Sequence, residues 1–319
     1  MTLIYYDPQF HKLLLTTPTP ASYVVPTKVQ IPQMPTGVLI IIFSTLFFAL
    51  HALIVFTIRT SKKYAGDTTH LIIAHISVAA AVQLFCLMYA GLLTTLDAEI
   101  SSVVNKVLGA IDMHVYTTMY LLLFVLAVNR LAIFSELYPL STLQRPLPTK
   151  VMIALSWLLG AYFSAILLSS LSRYTFSHKT LEWQFEKNEL FAFLNKSYIV
   201  FVIPPTVGTL LLYVCISSIV YRMRKKTTFA ARCRPEVKFL VFNAIVFVMA
   251  TIVLWITVAQ DKILPRPPVS GAILTTYWIF ECGVHAVVLL VLDSCLRRQV
   301  LKFVPARNKV STSIQELRI

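Results

Sequence analysis

Seven long apolar runs alternate with short polar breaks along most of the chain. They cover Thr36–Ile58, Thr68–Leu92, Val104–Phe134, Val151–Leu171, Leu194–Tyr221, Val237–Ala259 and Gly271–Leu292, and charges or prolines bound each one. Every run reaches the roughly 20 mostly apolar residues that a helix needs to cross a bilayer. The third is long enough to tilt or to project beyond the lipid. The pattern predicts an all-α fold, a seven-transmembrane helix bundle. No internal repeat is visible, which argues against a transporter built from two inverted halves.

Composition agrees with lipid as the solvent. Hydrophobic residues make up 57% of the 319 and charged residues 13%, against about 25% charged in soluble domains, and mean hydropathy is +0.74. A disordered chain is excluded, and a soluble enzyme is disfavoured. The net charge of +14 would suggest nucleic acid in a soluble protein. Here it sorts by side of the membrane, so no nucleic-acid partner is expected. The link Arg59–Asp67, the stretch Arg130–Lys150, the link Arg222–Lys238 and the tail after Leu292 hold 3, 3, 7 and 6 Lys/Arg, 19 of the 28 in the chain. Basic residues concentrate on the cytoplasmic side, so the N-terminus is expected outside and the C-terminus inside. The densest cluster is Arg222, Arg224, Lys225, Lys226, Arg232, Arg234 and Lys238. It orients the chain and attracts anionic lipid, and it is also suited to docking an acidic partner.

The expected domains are a Pro-rich extracellular tail (1–35), the transmembrane domain (36–292), a short C-terminal amphipathic surface helix (293–305) and a cytoplasmic tail (306–319). The first 35 residues carry six prolines and read as extended. They lack the basic region and apolar run of a cleavable signal peptide, so the first span is expected to act as the insertion signal. Within 293–305, Leu296, Val300, Leu301 and Val304 share one helical face, Arg297, Arg298 and Lys302 lie on the others, and Pro305 ends the helix. Cys295 reads either as an acylation site or as an ordinary free thiol.

Several short motifs carry a family likeness. Ala127-Val128-Asn129-Arg130-Leu131 holds an arginine in an apolar frame at the end of the third span. Trp157 stands in the fourth span, and Pro205 and Tyr213 stand eight apart in the fifth. His285-Ala286-Val287-Val288-Leu289 closes the seventh, and Leu296-Arg297 follows. With seven spans and a basic third inner link, the chain resembles a divergent rhodopsin-like G-protein-coupled receptor, most like the nematode serpentine chemoreceptors. Against that pattern, Asn129 replaces an acid and Leu131 a tyrosine, and the second span has no aspartate for a sodium site. None of the five cysteines (Cys86, Cys215, Cys233, Cys282, Cys295) lies in an external loop. The disulfide that the family forms between the third helix and the second external loop therefore cannot form. The resemblance implies a plasma-membrane receptor, in a sensory cilium if chemosensory. Its partners would be a small-molecule ligand, the lipid bilayer and a heterotrimeric G protein engaged through Arg130, Arg222, Arg224, Lys225 and Lys226, with no cofactor.

Acids inside spans are costly and mark candidate sites. Asp112 lies 18 residues before Arg130, five helical turns and about 27 Å along the axis, so both point the same way. In amine receptors of the family, an acid at this spacing pairs with the ligand ammonium. The alternative is an aspartate paired with His114, Tyr116 or another helix. Glu281 sits deeper and reads as hydrogen-bonded to a neighbouring helix. Tyr116, Tyr120, Trp255, Tyr277 and Trp278 are candidate pocket-lining or packing aromatics. The His residues lack matched metal-ligand spacing, and no nucleotide-binding or hydrolase motif is present, so neither metal nor catalytic site is expected. Asn195-Lys196-Ser197 is a glycosylation triplet, but it abuts the fifth span and is expected unmodified. A small transporter or channel is the rival reading. Scarce intramembrane polar residues and only 8 glycines weigh against it.

Overall fold

The computed structural model describes residues 31–134, 142–143, 145–170, 172–186, 189–224, 241, 244–252, 255–256, 264 and 267–303. The expectations for residues 1–30, for Lys225, Lys226 and Cys233, and for the chain from Val304 onward lie outside these residues. Helix α1 spans Gln33–Thr60, α2 Thr68–Leu96, α3 Ser102–Phe134, α4 Pro146–Leu168, α5 Glu189–Arg224, α7 Val269–Leu292 and α8 Ser294–Phe303. Helix α6 is described over residues 244–252. Among the described residues, six helices are long and apolar enough to cross a membrane.

Several helix ends follow directly from local chemistry. Asp67 caps α2, its Oδ1 accepting from the backbone N–H groups of Thr69 at 2.9 Å and His70 at 3.4 Å. Asp97 ends that helix in a left-handed conformation, φ 50°, which aspartate tolerates better than most side chains. Helix α4 starts a turn earlier than its apolar run. Pro146 occupies the first turn, where its missing N–H leaves no helical bond unmade.

Helix α3 is the axis of the bundle. In its most apolar stretch 72% of residues are buried, against 28% for α1, α4 and α5. The apolar side chains left exposed on those outer helices face lipid, so burial of apolar surface does not drive them together. Close packing and interhelical hydrogen bonds do.

The sequence pattern did not predict β1 (Tyr174–Ser177) and β2 (Glu182–Phe185), an antiparallel hairpin between α4 and α5. It packs on α3 and α7 and caps one end of the bundle. Two glycines admit it. A side chain at Gly109 would collide with the carbonyl of Tyr174, and one at Gly271 with the carbonyl of Thr180. At the hairpin turn Leu181 adopts φ 60°, a conformation that costs a non-glycine residue about 1–2 kcal/mol. Burial of its side chain and a 2.7 Å hydrogen bond from Thr275 Oγ1 to its carbonyl hold it there.

Candidate functional site

Asp112, Tyr116 and Tyr120 repeat every four residues on the inner face of α3, and all three are buried. Asp112 is 1% exposed. Its Oδ1 has no hydrogen-bond partner among the described residues. Cys86 of α2 and Cys282 of α7 lie within its electrostatic reach. The thiol of Cys282 points to Gln83 Oε1 at 3.5 Å. No bond joins Asp112 to His114. That imidazole packs instead on Trp157 of α4, ring centroids 5.5 Å apart, and Trp157 Nε1 donates to His75 Nδ1 at 3.2 Å.

Below Asp112 the tyrosines form a junction. The Tyr116 ring lies 4.9 Å from that of Tyr120 and 5.9 Å from that of Trp278. The Tyr116 hydroxyl donates to the Tyr120 hydroxyl at 3.3 Å. The Tyr120 hydroxyl in turn reaches the Ala250 carbonyl at 3.2 Å and Glu281 Oε1 at 3.4 Å, one proton between two acceptors. Helices α3, α6 and α7 therefore meet at a single hydroxyl, and Glu281 has the interhelical bond that the sequence suggested. Trp278 joins this cluster, with an indole N–H that lacks a partner among the described residues. Trp255 does not join it: its side chain is 60% exposed, on the lipid side of the bundle. Tyr277 turns to α6, 3.5 Å from the Met249 carbonyl.

At the other, basic end, Arg130 and Asn129 are buried. Asn129 Oδ1 accepts from Thr69 Oγ1 at 3.1 Å, and its Nδ2 donates to Thr68 Oγ1 at 3.2 Å. The residue that replaces the acid is thus tied to α2. Tyr213 of α5 lies within electrostatic reach of Arg130 and belongs to an apolar collar with Ala127, Phe134, Ile216 and Val220. Arg222 is exposed on the last turn of α5, and Arg224 is the last residue of that helix.

A clamp beside this end was not foreseen. His70 Nδ1 lies 2.6 Å from Asp67 Oδ2, and its Nε2 lies 3.2 Å from Asp293 Oδ2. Asp293 Oδ1 also caps α8, accepting from the N–H groups of Cys295 and Leu296 at 2.9 Å. Burial raises both carboxyls. The His70 hydrogen bond and charge, with the backbone N–H groups, outweigh it and hold both below the usual aspartate range. Tyr64 stacks on His70 at 4.3 Å and donates to Cys295 Sγ at 3.5 Å. The thiol is pulled down by Lys63 and Tyr64 against the effect of burial. Asp67 and Asp293 are 226 positions apart in the sequence, which is why spacing could not reveal the clamp.

This architecture is that of a rhodopsin-type seven-helix bundle. Squid rhodopsin, in its crystal structure, superposes with a TM-score of 0.73 over 86% of this chain and 87% of that one, at 12% identity. The chain belongs to the serpentine type seven-transmembrane G-protein-coupled chemoreceptor family Srx, whose model matches residues 41–293. No curated protein sequence matches it. It is a multi-pass membrane protein with the family and fold of a receptor, and the transporter or channel alternative is not favoured.

Proposed function

We propose that this receptor binds a small external molecule against Asp112 and signals to a heterotrimeric G protein at its basic end. The observation that carries the proposal is the buried Asp112 carboxyl group, with one oxygen unpartnered among the described residues, on the same face of α3 as Arg130. A cationic ligand group would complete it, since charge-assisted bonds are strong where water is excluded. Tyr116 and Trp278 would form the wall. The ligand would bias the Tyr120 junction, and with it the relative packing of α3, α6 and α7. Arg130, Arg222, Arg224, Lys225 and Lys226 would form the coupling surface. By the positive-inside rule the basic links would face the cytoplasm, with the N-terminus outside the plasma membrane, in a sensory cilium if the cell is chemosensory. Residues 1–35 and 306–319 would then be external and internal tails.

The test is ligand-dependent nucleotide exchange on a promiscuous G protein in cells screened with small amines and neutral odorants. A tag at the N-terminus should be accessible on intact cells, and one at Ile319 only after permeabilisation. Arg130→Ala should cut exchange at least tenfold while leaving ligand affinity within about tenfold, roughly 1.4 kcal/mol. Unchanged exchange at equal surface level would remove Arg130 from the coupling surface.

A further inference from the structure

Asn105 lies at the start of α3 and is 1% exposed. Its Nδ2 donates to the carbonyl of Phe176 at 3.0 Å, and its Oδ1 accepts from the N–H of the same residue at 2.9 Å. The amide side chain pairs with β1 as a neighbouring strand would, using donor and acceptor together. The second N–H of Nδ2 reaches Glu99 Oε1 at 3.4 Å. Asn105 thereby ties the third helix to the second external loop, the two segments joined by the disulfide that this chain cannot form. The described cysteines are all free.

The hairpin held by this bond packs on α3 at Gly109, one turn before Asp112. Trp183 of β2 stacks on Tyr174 at 5.7 Å and meets Phe176 edge-on at 5.5 Å. Its ring edge lies 3.2 Å from where a Cβ on Gly109 would stand, one turn of α3 before Asp112. Trp183 Nε1 and Asp112 Oδ1 are buried with no partner among the described residues, and the thiols of Cys86 and Cys282, within electrostatic reach of Asp112, are both 1% exposed or less.

We infer that Asn105 is the positioning residue of the ligand site: its two-point bond to Phe176 replaces a covalent tether and makes the hairpin a releasable lid over Asp112. Both are hydrogen bonds, so the hairpin can lift without cleavage of a covalent bond. Thr275 holds the turn on α7, so lifting at Asn105 opens the α3 side first. The inference rests on the reading of this end as the ligand's entrance, but its test reads the lid itself and needs no receptor response.

The probe is methanethiosulfonate ethyltrimethylammonium, a small cation that modifies thiols, applied to the full chain in lipid nanodiscs. Modification of Cys86 and Cys282 is followed by peptide mass spectrometry. Asn105→Ala should react at least tenfold faster than the native protein. Asn105→Asp keeps the acceptor for the Phe176 N–H but loses the donor, and should fall between. The pair Asn105→Cys/Phe176→Cys, oxidised with oxidised glutathione, should form a disulfide and react at least tenfold more slowly than the same protein reduced and freed of reductant before labelling. That last comparison uses one polypeptide, so it stands even where Asn105→Ala fails to fold. The inference is overturned by a pair that does not cross-link. It is equally overturned by locked and unlocked rates within threefold of each other.

Discussion

At the basic end of the bundle Asp67, His70 and Asp293 satisfy one another, and Asn129 uses both ends of its amide on Thr68 and Thr69. At the hairpin end Asp112 Oδ1, Trp183 Nε1 and Trp278 Nε1 find no partner among the described residues. Asn129 and Asp112 are both buried on α3, and in the clamp His70 is buried between the partly exposed Asp67 and Asp293. A buried polar group left unpaired costs about 1–3 kcal/mol. A fully paired network instead rigidifies the packing around it. The basic end is therefore built to hold one arrangement, and the hairpin end is built to be completed by something else. Under the proposed function the incomplete end would gain free energy from a ligand, and the complete end has the bonds that this gain would break.

The sharpest way to break the comparison is Asp112→Asn. Size and hydrogen bonding are kept and the charge is removed. An amine agonist should lose about 2–5 kcal/mol, roughly 30- to several-thousand-fold in affinity, while a neutral odorant changes little. Amine potency equal to that of the native receptor, at normal surface level, would eliminate the counter-ion role. A uniform fall in surface level for all ligands would instead make Asp112 a structural group, and the hairpin end no longer incomplete by design.

How much of this was legible in the sequence differs between the two ends. The helices were, because apolar length and bounding charge are local. The common face of Asp112 and Arg130 was, because it depends only on helical period. Trp255 was grouped with the pocket aromatics on its residue type alone, and the 60% exposure of its side chain depends on how α6 is rotated, which composition does not encode. The hairpin escaped notice because four-residue strands give no usable periodicity. Asn105 gave no signal either: its hairpin partner is a backbone amide 71 residues away, so no pair of side chains marks its tie to the hairpin. The clamp of Asp67, His70 and Asp293 was hidden for the same reason, since Asp293 is 226 positions from Asp67.

Asp293→Ala probes the complete end with a smaller effect. It removes the cap of α8 and one of the two carboxylates on His70, and should destabilise the protein by about 2 kcal/mol at neutral pH. Below about pH 5, where the His70 imidazole is protonated, the pH dependence has a fixed sign. Asp293 and Asp67 are held below the usual aspartate range, so their contribution is fully present above the unfolded value of about 3.9 and is lost as pH falls through the depressed folded values. Below about pH 5 the difference in thermal midpoint between native protein and Asp293→Ala should therefore shrink as the pH falls. A gap that widens below about pH 5 would mean that the carboxylate is not what holds α8.

The smallest expected effect belongs to Asn129→Asp, which tests whether the complete end sets the resting state. Asn129 accepts from Thr69 and donates to Thr68. An aspartate keeps the first bond, and the Thr68 hydroxyl can turn to donate instead of accept, so α2 stays attached to α3. The substitution adds a negative charge next to Arg130, which is 4% exposed. An opposite charge at that position steadies the guanidinium in the packing where it is buried, by an amount typical of a partly buried pair, on the order of 1 kcal/mol. Basal nucleotide exchange should then fall by about fivefold, with agonist affinity nearly unchanged because the ligand end lies about 27 Å away along α3. The readout is exchange without agonist at matched receptor density. An increase in basal exchange would show that the bonds to Thr68 and Thr69, rather than the missing acid, keep this receptor quiet.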